Sequence, residues 1–472
     1  MKRPITCFLV AGIALAMSGC GVLSESGPDA DSLPPLEIEQ AAETYSPVDY
    51  GPSEIYTETM ENGLVVSVFN DNSMVLQGAD VEGDLRDSRM LSGYIANVTT
   101  IEFGDGVESI GQKTFSNNDK ITKVIFGNCV KEIQYSAFSG CTALTDIRFG
   151  DNVELIDEYA FSGCTSLKDV LLSDSVRTVG SYAFTGCTTL QNVVFGGSFS
   201  NAGNNVFAGC AALVSARFST DVPAGVFTDC TSLESVTLKE NVAEIGSRAF
   251  ANCTSLKNVL WDDFREQQEN DEDTTAEVEE IEYRKYIRSE AFQNCTGLAG
   301  FSFPDSIYAI GNSAFRGCTG IKSLYLPTNL WDVEEEAFFG CTGLEEIEIE
   351  ACPELYIEYR AFANCTKLST ISIDTGGWIS LYAKVFSGCS SLIRVNLYSV
   401  ARVGERCFEN CSSLERATFY KVTEKVGNRI FDNCSSLSSL WYSGSSSQWS
   451  KVTKDSNWYK GTALSGITKY NA

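Results

Sequence analysis

One hydrophobic pattern repeats along most of the chain, with a regular spacing of 23 residues. Each block contains a phenylalanine, and from Phe138 onward a cysteine follows it after three residues, with an apolar residue, nearly always leucine, three residues later. The leucine leads into an alternation of apolar and variable positions, as in Leu144, Ile147 and Phe149. Fixed spacings of this length are typical of solenoids, in which each unit stacks on the next. The repeated phenylalanines are Phe115, Phe138, Phe161, Phe184, Phe207, Phe227, Phe250, Phe292, Phe315, Phe338, Phe362, Phe386, Phe408 and Phe431.

Each block predicts one coil that contains one short strand. The apolar-x-apolar alternation has the period of a strand with one buried face. The three-residue spacing of Phe, Cys and Leu predicts a 3₁₀ or short helical turn that points these side chains inward. A glycine after the preceding apolar residue, as at Gly180, predicts a tight turn there. Because no coil can bury its apolar face alone, the 14 phenylalanine-bearing coils are expected to stack into one solenoid.

The block pattern also resembles a known family. Ile-Gly-x-x-Ala-Phe-x-x-Cys-x-x-Leu-x-x-Ile-x-Leu is similar to the BspA-like, or Treponema-type, leucine-rich repeats of bacterial surface proteins. The resemblance covers residues 98 to about 442, and the segment around Trp441 and Trp449 is similar to the terminal coil of many such proteins. It implies a leucine-rich-repeat solenoid at a cell surface, with adhesion as its role. The coils near Gly203 and Pro223 depart from the pattern.

The predicted solenoid spans 98–442 and needs covered ends, because terminal coils expose apolar edges. At 61–97, two apolar runs (64–69 and 74–76) predict a capping hairpin, and 443–472 is the expected C-terminal cap. Between Cys253 and Cys295 the spacing grows to 42 residues, and the insertion at 262–284 holds eleven acidic side chains. We interpret it as a solvated loop. Divalent cation binding is the alternative, although no Asp-x-Asp-x-Asp-Gly spacing supports it.

The N-terminus is typical of a secretory signal peptide, residues 1–19. Lys2 and Arg3 precede an apolar run at 5–17 that is too short to span a membrane. The following Met-Ser-Gly-Cys motif, which ends at Cys20, resembles the bacterial lipobox. This implies lipidation of Cys20 and attachment to the extracellular face of a bacterial membrane; cleavage without lipid is the alternative. Residues 20–60 hold five of the ten prolines and no Lys or Arg, which predicts a flexible acidic tether.

Charge and composition exclude several classes of function. Asp and Glu outnumber Lys and Arg by 62 to 35, and the net charge of -27 disfavours nucleic acid and anionic lipid as partners. Membrane contact is therefore expected only through the lipid. The chain has no histidine, which excludes Ser-His-Asp and Cys-His catalysis and histidine-bound metals. We expect no enzyme activity, no cofactor and no metal; a glycosidase-like carboxylate pair is the enzymatic alternative.

Eighteen cysteines in a secreted protein first suggest disulfides. Thirteen of them, however, share one inward position between phenylalanine and leucine, where a free thiol packs as a small hydrophobe. We therefore predict reduced core thiols. Disulfides between neighbouring coils stay the alternative, because the Cα spacing allows them. Zinc is disfavoured, because a straight column cannot supply four tetrahedral ligands.

The residue between the last two buried positions of each coil forms an outward column on the strand face. Exposed apolar and aromatic residues mark interaction sites, although β-propensity alone is an alternative explanation. We predict that this face of a lipid-anchored surface protein binds an extracellular protein. A glycan partner, with Trp378 joining two aromatic members of the column, and a structural spacer without a ligand are the alternatives. The candidate residues are Arg148, Leu171, Val194, Arg217, Leu260, Tyr325 and Trp441.

Overall fold

The computed structural model describes residues 54–82, 91–194, 201–262, 284–349, 352–373, 376–462, 464 and 466–470. The signal peptide, the lipidation residue Cys20, the tether as far as residue 53 and the insertion at 263–283 lie outside these residues.

The described chain is built almost entirely of short strands and turns. In chain order the elements are β1 (Glu54–Thr59), β2 (Val65–Phe69), β3 (Ser73–Gln77), α1 (Ser92–Ile95), β4 (Thr100–Phe103), β5 (Ser109–Ile110), β6 (Lys123–Phe126), β7 (Glu132–Ile133), β8 (Asp146–Arg148), β9 (Leu155–Ile156), β10 (Asp169–Leu171), β11 (Thr178–Val179), β12 (Asn192–Val194), β13 (Asn201–Ala202), β14 (Ser215–Phe218), β15 (Ser235–Lys239), β16 (Glu244–Ile245), β17 (Asn258–Asp262), β18 (Lys285–Ile287), β19 (Ile307–Ile310), β20 (Ser323–Leu326), β21 (Asp332–Val333), β22 (Glu346–Ile349), β23 (Glu354–Ile357), β24 (Thr370–Ile373), β25 (Trp378–Leu381), β26 (Arg394–Leu397), β27 (Val400–Val403), β28 (Arg416–Phe419), β29 (Lys425–Val426), β30 (Ser439–Tyr442), α2 (Ser446–Lys451), β31 (Thr453–Lys454) and β32 (Lys469–Tyr470).

Two ladders of parallel strands run along the solenoid, and most coils contribute one strand to each. The first ladder contains the predicted apolar-x-apolar strands and comprises β4, β6, β8, β10, β12, β14, β15, β17, β20, β22, β24, β26, β28, β30 and β32, in five sheets. The second ladder consists of a five-stranded sheet, β13-β11-β9-β7-β5, and a nine-stranded sheet, β16-β18-β19-β21-β23-β25-β27-β29-β31. The repeat predicts only one strand per coil. The structure adds another because stacked coils bring their return segments within backbone hydrogen-bonding distance, as where Ile133 lies beside Ile156.

The phenylalanines form a single column inside the solenoid, which confirms the predicted stack. All are fully or almost fully buried. Consecutive ring centroids lie 5.0–5.8 Å apart, from Phe115 against Phe138 to Phe408 against Phe431. Each coil therefore covers the apolar surface of its neighbour, and the fold is a solenoid of stacked coils.

The cysteine column runs beside the rings. The Cys318 thiol donates a hydrogen bond to the carbonyl oxygen of Phe292, one coil earlier, at 3.0 Å, and the same contact recurs along the column. All cysteines of the described part are free thiols, as predicted, and all except Cys129 are buried. Burial raises the pKa of Cys341 to about 12, so its thiol stays protonated at neutral pH.

The glycine after the apolar residue has a different role from the tight turn that the sequence predicts. Gly180 does not have a positive φ; instead, a Cβ at this position would lie 2.5 Å from the backbone nitrogen of Glu158 in the preceding coil. Glycine is needed because two backbones approach closely. The left-handed turns flank the phenylalanine, as at Ser136 (φ 54°) and Gly140 (φ 75°) around Phe138.

Both ends of the solenoid are covered. At the N-terminal end, β2 and β3 form an antiparallel hairpin, and β3 pairs with the first-ladder strand β4. Strand β1 pairs antiparallel with β2, so residues 54–59, which belong to the segment 20–60 for which the composition predicts a flexible tether, form part of a sheet. The tether prediction is therefore wrong for 54–59, since backbone pairing with β2 outweighs the polar composition. At the C-terminal end, Trp449 of α2 and Trp458 cover Phe419 at 5.2 and 6.1 Å.

Candidate interaction surface

The candidate residues nearest the N-terminal end form one mixed patch. Leu171 and Val194 are register partners in β10 and β12, and Ile125 and Arg148 are register partners in β6 and β8. Strands β8 and β10 are in contact, so the four side chains follow one another along the ladder. Leu171 is 37% exposed, and the Arg148 guanidinium reaches the Asp146 carboxylate at 3.9 Å. The patch combines aliphatic surface with a guanidinium, as interaction sites do.

Arg217 and Leu260 lie further along the same column, on either side of Thr237. Leu260 is 55% exposed, whereas Arg217 is half-buried. The structure thus places both residues on the predicted face and separates them from the patch around Leu171.

Tyr325 and Trp441 have surroundings that differ from the aliphatic patch. Tyr325 is 43% exposed and lies beside Glu348, in an acidic part of the face. The Trp441 ring lies between the Arg416 guanidinium and the Lys469 ammonium, each 4.3 Å from its centroid and each carried by a neighbouring strand. Two cations therefore cover this indole.

The candidates do not converge on one compact site. Arg148 and Trp441 are twelve coils apart, or roughly 60 Å at about 4.8 Å per coil. Trp378, the third aromatic residue of the glycan alternative, is 56% exposed but belongs to the second ladder. It therefore does not join Tyr325 and Trp441 in a common stacking platform.

The second ladder carries an aromatic strip that the sequence does not predict. The Trp331 ring lies 6.1 Å from Tyr308 and 5.4 Å from Tyr356. Next to it, Asp332 has its pKa raised to about 7 by burial and by the nearby Glu358 and Glu334 carboxylates. Its Oδ1 is buried without a hydrogen-bond partner among the described residues.

The first-ladder face also carries cations that are not members of the predicted outward column. Arg394 and Arg416 stand two residues before the column positions and are register partners in β26 and β28. Because side chains alternate along a strand, residues at this spacing share the outward face. The sequence could have indicated them, because the residue two positions before each column residue faces the same side of the strand.

The described residues contain no group of three or more Cys, Asp or Glu side chains that could hold a metal ion. None of their helices is long and apolar enough to cross a membrane. Cys20 and the bulk of the acidic insertion are not among these residues.

The repeat matches a known family. The profile of the BspA type leucine rich repeat region, in six copies, covers residues 93–214, 156–270, 285–377 and 356–456. The chain belongs to this family. Among solved structures, the BspA-type chain is similar to a leucine-rich repeat protein from Bacteroides ovatus, with 22% identity over 87% of this chain and 98% of that chain and a TM-score of 0.58. It also matches a leucine rich cell surface protein from Faecalibacterium prausnitzii, with 20% identity over 86% and 99% of the two chains and a TM-score of 0.37.

Among curated proteins, no relative matches the BspA-type chain. The similarity to the Bacteroides ovatus structure supports the solenoid fold. The family and its structural neighbours are repeat proteins and not enzymes. A BspA-type solenoid presents its outward residues as an interaction surface, which agrees with the exposed column described above.

Proposed function

We propose that this protein is a lipid-anchored surface protein that binds an extracellular protein through the first-ladder face, with Arg148, Leu171 and Val194 at the centre of the contact. The observation that carries the proposal is the register pairing of Leu171 with Val194 on an exposed sheet face. No catalytic role, cofactor or metal is part of it.

The fold does not depend on apolar side chains in the outward column. The Phe, Cys and Leu columns already bury the apolar surface of each coil, so the outward column adds little to the interior. Leu171 nevertheless exposes 37% of its surface and Leu260 exposes 55%. Burying such surface against a partner contributes about 25 cal/mol per Å² of apolar area. Aliphatic residues next to Arg148 therefore favour protein contact over simple solvation.

The test compares a face variant with a matched control. The double variant Leu171→Glu/Val194→Glu places two carboxylates on the patch, whereas Val422→Glu places one at an exposed aliphatic position in the turn after β28. Immobilised wild-type protein and the control should capture the same purified extracellular proteins, and the double variant should bind at least about tenfold more weakly. Equal capture by all three proteins, with unchanged melting temperatures, would refute the proposal.

A glycan array run beside the protein capture separates the alternatives. Binding to neutral glycans, retained in the Leu171→Glu/Val194→Glu variant, would favour a glycan-binding function. No capture in either assay would favour a structural spacer.

The anchor is tested separately at Cys20. Lipid chains would hold the protein in the detergent phase, since each buried methylene contributes about 0.8 kcal/mol. We expect Cys20→Ala to shift the cell-associated protein to the aqueous phase or the medium, and wild-type protein to partition with detergent. Aqueous partitioning of the wild-type protein would contradict lipidation.

A further inference from the structure

The C-terminal end of the first-ladder face carries a compact group of cations, here called the cationic cluster: Arg394, Arg416 and Lys469 around Trp441. Arg394 and Arg416 are register partners, and Trp441 and Lys469 are register partners two strands further on. The Arg416 guanidinium and the Lys469 ammonium each lie 4.3 Å from the Trp441 ring centroid. Contact with the indole holds both cations in place on the surface.

Within the described residues, these cations have no carboxylate partner. None of the three takes part in an ion pair there, and Glu415, adjacent to Arg416 in the chain, pairs with neither arginine. Other arginines of the solenoid differ: Arg360 reaches the Glu336 carboxylate at 2.6 Å. In a chain with a net charge of -27, three unpaired cations in one place require an explanation.

The arrangement is unfavourable for the protein alone. Like charges directly opposite each other on neighbouring strands destabilise a sheet, and Arg394 lies beside Arg416. The Arg416 Nε is also buried and lacks a hydrogen-bond partner among the described residues. A buried donor without a partner costs about 1–3 kcal/mol. A bound oxyanion would offset the repulsion between the two guanidinium groups.

We propose that the cationic cluster binds an acidic peptide segment, rich in Asp or Glu, of a protein partner. This rests on the proposed function, in which the first-ladder face binds protein, and adds a second contact at the opposite end of the face from Leu171. Guanidinium groups bind carboxylates through paired, charge-assisted hydrogen bonds. Because Trp441 fixes Arg416 and Lys469 beforehand, less side-chain entropy is lost on binding.

The geometry favours a peptide over an anionic glycan. Sugars are recognised on exposed aromatic faces, but here two cations lie over the Trp441 ring. Tyr398 and Tyr420, just past the opposite ends of β26 and β28 from Arg394 and Arg416, pack against each other with centroids 4.0 Å apart. Recognition therefore depends on charge.

The spacing sets the length of the ligand. Lys469 lies three ladder steps from Arg394 and two residues further along the strand direction, or about 16 Å at about 4.8 Å per step and about 3.3 Å per residue. An extended peptide covers this distance in about four or five residues at roughly 3.3 Å each. A segment with carboxylates near both ends of such a stretch would reach all three cations.

The test is a fluorescence anisotropy titration of the full chain with a labelled peptide of alternating Glu and Gly residues. We expect saturable binding that weakens with salt, and no binding of the same peptide with Gln in place of Glu. Arg394→Gln/Arg416→Gln should weaken binding at least about tenfold. The matched control, Lys168→Gln/Lys322→Gln, removes two exposed positive charges elsewhere and should bind as wild type.

Three results would overturn the proposal: no binding of the Glu peptide, equal weakening by the two double variants, or tighter binding of a sulfated oligosaccharide that is lost in Arg394→Gln/Arg416→Gln. Circular dichroism checks that each variant is folded. The Leu171→Glu/Val194→Glu variant should keep its affinity for the peptide. If that variant also captures protein normally, the proposed function fails, while the peptide titration still decides the role of the cluster.

Discussion

Replacement of Phe161 by Ala tests the stacked interior directly. The Phe161 ring is fully buried between Phe138 at 5.4 Å and Phe184 at 5.3 Å. Truncation of a buried phenylalanine to alanine costs about 3–5 kcal/mol, because apolar contact is lost and a cavity remains. Each lost ring contact adds roughly 0.5–1.5 kcal/mol beyond area burial. We therefore expect the free energy of unfolding to fall by about 5 kcal/mol, which is a large fraction of the stability of a typical domain.

The matched control is Tyr182→Ala, since Tyr182 also stacks on a ring, Tyr159, with centroids 4.9 Å apart, but is only half-buried. Its loss should cost about 1 kcal/mol. Urea unfolding followed by circular dichroism measures both changes, and hydrogen exchange shows whether the coils next to Phe161 open first, as expected when each coil is stabilised by its two neighbours. If the two variants lost equal amounts of stability, the claim that the buried Phe161 ring stabilises the solenoid more than a half-buried ring would be refuted.

Three other predictions test the columns and the second ladder. A thiol reagent at neutral pH should modify Cys129 rapidly and the fifteen buried cysteines only after unfolding; rapid reaction of several thiols in the folded protein would contradict this. Gly180→Ala should lower the free energy of unfolding by about 1–3 kcal/mol, because the added Cβ would meet the Glu158 backbone. The control Gly300→Ala, where no atom lies within 4 Å of an added Cβ, should change the stability little. Equal urea midpoints for the two variants would contradict the close approach of the Gly180 and Glu158 backbones. Stability should fall as the pH rises from about 4 to about 7, because the folded pKa of Asp332, about 7, lies above its ordinary value of 3.8 and the folded state binds the extra proton in that interval. Asp332→Asn should flatten this part of the stability profile. An unchanged slope of melting temperature against pH in this variant would rule out Asp332 as its source.

The solenoid could be predicted from the sequence because one side chain recurs at one place in every coil. The spacing of Phe138, Phe161 and Phe184 specifies a shared interior before any contact is known. The second ladder could not be predicted in the same way. Many of its strands are two residues long, such as β7 (Glu132–Ile133), and two residues contain no alternation to detect.

The outward column was also predictable, since alternate residues of a strand face opposite sides. What surrounds each member was not. Trp441 belongs to the repeat, but the ammonium group on one face of its ring comes from Lys469, in the C-terminal segment beyond the last coil, where no repeat spacing applies. The environment of Asp332 likewise depends on burial and on Glu358, whose proximity follows from the unpredicted ladder.

The coil stacking continues across the acidic insertion without a change of register. Ile245 pairs with Ile287, and the Phe250 and Phe292 rings are 5.1 Å apart although 42 residues separate them in the chain. The stacking of the coils therefore does not depend on the length of the segment inserted here. The entropic cost of closing a loop also rises only slowly with its length. A peptide tag or a whole foreign domain could therefore be inserted at this position while the coils on both sides keep their contacts.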